Sequence, residues 1–188
     1  MKRNAATVAA ALLLAATMCV TASAGIVDFA VGAYGGMNLP IEDDASAGTV
    51  LGAKVRVLPP VPIVGFEAWY AHFGYDDPEE VYAAGDWSLA FDGDGFNLFG
   101  LDVLVGGVRG VPGFKWYGIL GVTAAEFEEF GKDGSERKLG GELGVGLEIV
   151  PPALGLGIEG RGTMMFMDLT GDSDEKLLTA TLGLNYYF

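Results

Sequence analysis

The sequence predicts an all-β protein, an eight-stranded antiparallel up-and-down transmembrane β-barrel, preceded by a segment removed on export. Three observations carry that prediction. The first 24 residues have the form of a secretory signal. Beyond them, apolar residues alternate with small or polar ones in eight segments. The connections between those segments alternate between short and long.

Lys2 and Arg3 open the chain, and an apolar run rich in Ala and Leu follows from about Ala5 to Val20. Thr21-Ala22-Ser23-Ala24 then places small residues where a signal peptidase reads them, so residues 1–24 are predicted to be cleaved before Gly25. The run is short for a membrane span of roughly 20 residues. A lipoprotein would use Cys19, but bulky Met18 precedes it. The only cysteine therefore leaves with the signal, and the exported chain, residues 25–188, has no thiol or disulfide chemistry.

All 25 carboxylates lie in that exported part, with nine of the 11 Lys and Arg residues, for a net charge of −16. A soluble domain so acidic would be hydrophilic. This chain is 51% hydrophobic with a mean hydropathy of +0.36, and no stretch after the signal holds 18 consecutive apolar residues. A transmembrane helix is thereby excluded, and the apolar surface has to sit on strands. A net charge of −16 also argues against nucleic-acid binding, since phosphate would be repelled.

The 30 glycines disfavour helix by about 1 kcal/mol each relative to alanine. Predicted strands run from about Asp28 to Asn38, Gly48 to Val57, Ile63 to Gly74, Phe96 to Val108, Phe114 to Ala125, Leu139 to Ile149, Gly155 to Met167 and Leu177 to Phe188. In the sixth, Leu139, Gly141, Leu143, Val145, Leu147 and Ile149 oppose Gly140, Glu142, Gly144, Gly146 and Glu148. In the eighth, Leu178, Ala180, Leu182, Leu184, Tyr186 and Phe188 oppose Thr179, Thr181, Gly183, Asn185 and Tyr187. Segments of about ten alternating residues suit tilted strands crossing hydrocarbon. The connections after strands two, four and six are short and contain proline, at Leu58 to Pro62, Arg109 to Gly113 and Val150 to Leu154. The other four are longer and acidic, and Tyr75 to Gly95 holds seven carboxylates. Short periplasmic turns with long external loops would put both ends of the barrel chain on the periplasmic side.

A soluble eight-stranded barrel would show the same alternation turned inside out. The glycines decide the orientation. The faces that carry charge also carry Gly52, Gly100, Gly118 or its neighbours, Gly140, Gly144, Gly146, Gly157 and Gly183. Glycine weakens a water-facing strand but suits a cramped interior. The expected inward charges are Lys54, Arg56, Lys115 and Arg161 against Glu67, Asp102, Glu142, Glu148 and Glu159, a net of −1. The long loops then carry −15. Buried charges must pair, and Glu159 and Arg161, two apart on one strand, are an expected pair. Phe114, Trp116, Tyr186 and Phe188 gather toward the turn end, and Tyr70, Phe127 and Phe166 toward the loop end, as two interfacial belts would require.

The closing Leu182-Gly183-Leu184-Asn185-Tyr186-Tyr187-Phe188 resembles the C-terminal signal of outer-membrane barrels, alternating hydrophobics that end in phenylalanine. Together with Val31-Gly32-Ala33-Tyr34-Gly35-Gly36, Tyr117-Gly118-Ile119-Leu120-Gly121 and Gly141-Glu142-Leu143-Gly144-Val145-Gly146, it makes the exported chain similar to small eight-stranded outer-membrane barrels of the OmpA-barrel, OmpX and OmpW type. The resemblance implies a bacterial outer-membrane location. It also implies contact with outer-membrane lipid and lipopolysaccharide, and recognition by the barrel-assembly machinery through Phe188. It does not specify an activity.

The leading expectation is a monomeric, non-catalytic barrel with a structural or surface-interaction role through its acidic loops. The alternative is a narrow pore or a conduit for small, apolar molecules. A lipid-modifying enzyme would need a serine, a histidine and a carboxylate. The one histidine, His72, lies on the apolar phase of strand three, and Ser46, Ser88, Ser135 and Ser173 fall in loops. Asp92-Gly93-Asp94-Gly95 and Asp172-Ser173-Asp174-Glu175 offer oxygen ligands but not the twelve-residue calcium loop. No metal, cofactor or catalytic residue is therefore expected.

Overall fold

The structure, a computed structural model, describes residues 27–41, 47–74, 95–108, 112–128, 135–152, 154–167 and 175–188. The predicted signal peptide, most of the four long connections and the acidic runs 92–94 and 172–174 lie outside these residues, as do Ser46, Ser88 and Ser173.

Eight strands form a closed barrel: β1 (Asp28–Pro40), β2 (Gly48–Leu58), β3 (Val64–Gly74), β4 (Gly95–Gly106), β5 (Gly113–Glu128), β6 (Ser135–Val150), β7 (Leu156–Met167) and β8 (Glu175–Tyr187). Each pairs antiparallel with its neighbour in the chain, and β8 closes the barrel on β1, with Tyr34 opposite Gly183. Closure leaves no unpaired strand edge, the condition for placing backbone in hydrocarbon.

The strands agree with those the alternation predicts, with one systematic difference. β5 and β6 extend three and four residues further toward the loop, and their pairing continues to Glu128 opposite Ser135. Ser135-Glu136-Arg137-Lys138 carries no apolar period, so the alternation could not reveal it. Backbone pairing needs no such period where a hairpin rises beyond the lipid.

At the β6–β7 turn, Gly155 takes φ +60°, a left-handed conformation open to glycine at little cost, and its carbonyl accepts the Tyr187 N–H at 2.7 Å. The turn is thereby tied to the final strand at the seam of the barrel.

The two faces of the wall differ sharply. Outward positions include Leu51, Leu101, Leu120, Val122, Val145, Leu182 and Leu184, all exposed. Leu139 is 79% exposed and Leu182 72%, values that large apolar side chains do not sustain across a whole surface in water. The inward set is buried, and all nine ionisable groups expected inside are there.

Two features of the interior depart from the expected small and ionic filling. At the loop end, Val50, Trp69, Phe73, Phe96, Leu98 and Leu177 pack into one apolar cluster. At the turn end, Leu58, Leu104, Val108, Tyr117 and Ile119 form another. Near strand ends both phases are apolar, as in Phe96-Asn97-Leu98-Phe99, so a period of two does not single out the inward side chains. Gly118 is corrected as well: it shares the outward phase of Trp116 and Leu120, while its neighbours Tyr117 and Ile119 point inward.

Candidate functional site

Alongside the two apolar clusters the lumen holds a connected set of polar side chains. Arg56 of β2 is at its centre and is 1% exposed. Its Nε donates to Glu67 Oε2 at 2.9 Å and its Nη2 to Glu159 Oε2 at 2.7 Å and to the Tyr117 hydroxyl at 3.1 Å. Nη1 reaches Glu148 Oε2 at 3.4 Å and the Tyr187 hydroxyl at 3.3 Å. One guanidinium thus serves residues from β3, β5, β6, β7 and β8, using the fixed fork of donors that lysine lacks.

Arg161 of β7 is the second hub. Its Nη2 is 2.7 Å from Glu67 Oε1, its Nε donates to Glu159 Oε1 at 2.9 Å, and its Nη1 lies 3.8 Å from Asp102 Oδ2. The pair expected from the two-residue spacing, Glu159 with Arg161, is therefore present. Lys54 also pairs with Glu159. Lys115 sits 3.8 Å from Glu148 Oε2 and 4.4 Å from the Tyr187 ring centroid. Asn185 Nδ2 donates to Glu148 Oε1 and Glu159 Oε2, each at 2.7 Å, and the Tyr187 hydroxyl donates to Glu148. In a dry interior such groups persist only when each charge finds partners, and the network supplies them across strands far apart in sequence.

The glycines create the room. Tyr34 lies over Gly52, Trp69 over Gly100 and Tyr117 over Gly146, each across a strand pair. A Cβ at any of these glycines would overlap the ring. Each ring lies flat against the wall and so occupies lumen that would otherwise admit water. Thr163 and Thr179 join hydroxyls at 2.6 Å above the ionic layer. A cavity of about 20 Å³ there is lined by Tyr34, Trp69, Glu142, Arg161, Thr163 and Thr181 among others. That is room for about one water, which needs roughly 10–15 Å³.

His72 is exposed on the outer face of β3, as its phase predicts. Its Nδ1 is 3.1 Å from Asn97 Oδ1, which also accepts from the Tyr70 hydroxyl at 2.8 Å. Tyr70 in turn packs on Phe99, with centroids 5.0 Å apart. His72 is thus part of a polar rim above an apolar band. Ser135 starts β6. Among the described residues no group of three or more His, Cys, Asp or Glu side chains could hold a metal.

At the turn end Phe114 and Trp116 are exposed, and Tyr186 and Phe188 pack edge to face at 4.9 Å on the exterior. Tyr70 and Phe166 are half-buried near the loop end, while the side chain of Phe127 lies outside the described residues. A closed sheet with an apolar exterior, aromatic side chains near both rims and a polar lumen is the construction of outer-membrane strands. This chain has the fold of the small bacterial outer-membrane barrels. Solved structures agree. The barrel is similar to the N-terminal β-barrel domain of OprF from Pseudomonas aeruginosa, with a TM-score of 0.59 and 13% identity over 86% of this chain and 97% of that one. It is also similar to Neisserial surface protein A, with a TM-score of 0.55 and 10% identity over 86% and 97%. No protein-family model matches the sequence, and no curated protein matches it either.

Proposed function

We propose that this protein is a non-catalytic barrel of the outer membrane whose lumen does not conduct, and which serves as a rigid mount for four acidic surface loops. The observation that supports this is the filling of the interior by an ionic network and two apolar clusters. An interior of eight strands is about wide enough to be filled by its own side chains. With the lumen closed, the variable surface lies in the loops, which carry most of the −16 net charge. Such a surface attracts cationic partners and repels anionic ones at long range. It sits beside lipopolysaccharide, whose bridging divalent ions the carboxylates can share.

The test is single-channel recording of the purified protein in planar bilayers. A closed lumen gives no stepwise current above the bare membrane. Regular conductance steps would overturn the reading and favour the narrow pore.

A further inference from the structure

Among the described residues the lumen holds Lys54, Arg56, Lys115 and Arg161 against Glu67, Asp102, Glu142, Glu148 and Glu159, one positive charge too few. The shortage falls on Asp102 and Glu142, which flank Gly121, and most heavily on Glu142. Glu67 meets Arg56 and Arg161, Glu148 meets Arg56 and Lys115, and Glu159 meets Lys54, Arg56 and Arg161. Asp102 has only Arg161, at 3.8 Å, and both its carboxylate oxygens are buried without a hydrogen-bond partner among the described residues. Glu142 has no ion pair among the described residues; Thr163 of β7 hydrogen-bonds its carboxylate, but its Oε2 is buried without a donor there.

Its surroundings make that isolation costly. Glu142 is 3% exposed, and it lines the small cavity above the ionic layer. Across Gly121 of β5 it flanks Asp102 of β4, which is itself an acid. The other charged or titratable groups that face it are Glu67 of β3, Arg161 of β7 and Tyr34 of β1. β5 contributes Gly121 and Thr123, and β8 contributes Thr179 and Thr181, none of which carries charge. Lys54 of β2 is committed to Glu159. An ionised carboxylate held in a buried site by one hydroxyl and no ion pair is disfavoured, so a compensating charge must enter with it.

We propose that the folded lumen takes up one monovalent positive charge, a proton or an alkali-metal ion, at the Glu142 carboxylate. The balance of the layer is −1, so one unit charge neutralises it, whereas a divalent ion would leave it at +1 beside Arg161. The cavity has room for one desolvated alkali ion or for one water beside a protonated carboxyl.

The full exported chain, folded in phospholipid vesicles, is unfolded with urea at a series of pH values and, separately, in sodium, potassium or choline chloride at constant ionic strength. Glu142→Gln, which removes the charge but keeps the shape, is compared with wild type. If a proton is bound, the unfolding equilibrium of wild type rises with pH relative to the variant, approaching tenfold per pH unit above the ordinary carboxylate pKa and levelling off once folded Glu142 loses its proton. If an alkali ion is bound, wild type alone is stabilised, by up to tenfold per decade of that salt once its site fills. Identical dependence of both proteins on pH and on alkali ion overturns the proposal. Should Glu142→Gln fail to fold, wild type is examined directly. The infrared carbonyl band of a neutral carboxylic acid in folded protein at neutral pH, or rubidium anomalous scattering beside Glu142, supports the site, and the absence of both overturns it. Because these readouts are not currents, a conducting lumen and an unloaded Glu142 are separate outcomes.

Discussion

Arg56 on β2 and Glu159 on β7 meet at 2.7 Å across the lumen, 103 residues apart in sequence and on strands that do not pair with each other. The contact braces opposite walls of the barrel. Arg56→Met leaves Glu67, Glu148 and Glu159 short of their shared cation, and it is expected to destabilise the barrel by about 3–5 kcal/mol. Arg56→Lys restores the charge without the fork and should recover only part of the loss. Urea unfolding in vesicles measures both.

Tyr117 resting on Gly146 yields a test of shape rather than charge. Gly146→Val drives a side chain into the ring and should cost about 1–3 kcal/mol, the usual range for overpacking a filled interior. Gly160 is on the outward face, where the nearest atom to an added Cβ is Leu182 Cδ2 at 3.7 Å. Gly160→Val is therefore expected to stay within about 0.5 kcal/mol of wild type or to be more stable. Equal losses at both positions would contradict the assignment of inside and outside.

Depth in the bilayer is tested by arginine on the exterior. Val145 is near the middle of the alternating stretch Leu139 to Ile149 of β6 and is 65% exposed, whereas Leu139 is at the loop end of that stretch. Val145→Arg should cost about 2–4 kcal/mol and Leu139→Arg about 0–1 kcal/mol, because the penalty falls from midplane to interface. Folding titrations into vesicles read the difference. Equal tolerance of both changes would mean that the apolar face does not meet lipid.

His72→Ala removes one hydrogen bond to Asn97 at the outer rim. The expected loss is at most about 1.5 kcal/mol of stability, the range for a single exposed or half-exposed hydrogen bond. Lipid A recovered from cells making the variant should be identical by mass spectrometry to that from cells making wild type. A lipid modification present with wild type and lost with His72→Ala would establish the enzymatic alternative.

Much of this was legible beforehand because a membrane barrel writes its two faces into alternate residues. Leu143, Val145 and Leu147 against Glu142, Gly144 and Gly146 state both the strand and its orientation. The nine inward charges followed from the same phase, and the Glu159–Arg161 pair from spacing on one strand. The end clusters were not legible, since Phe96, Leu98 and Phe99 are apolar in both phases and only the closed wall shows which of them turn inward.

The amino-acid sequence by itself determined the number of strands, their inside and outside faces, and the near balance of charge within, because each is a property of local period and composition. The partners were decided by the tertiary structure alone. Arg56 could have met any of five carboxylates, and which ones it meets depends on the register by which β8 closes on β1 and on how the walls face each other. The same closure left Glu142 one strand from Asp102 and without an ion pair among the described residues, a placement that no local pattern contains.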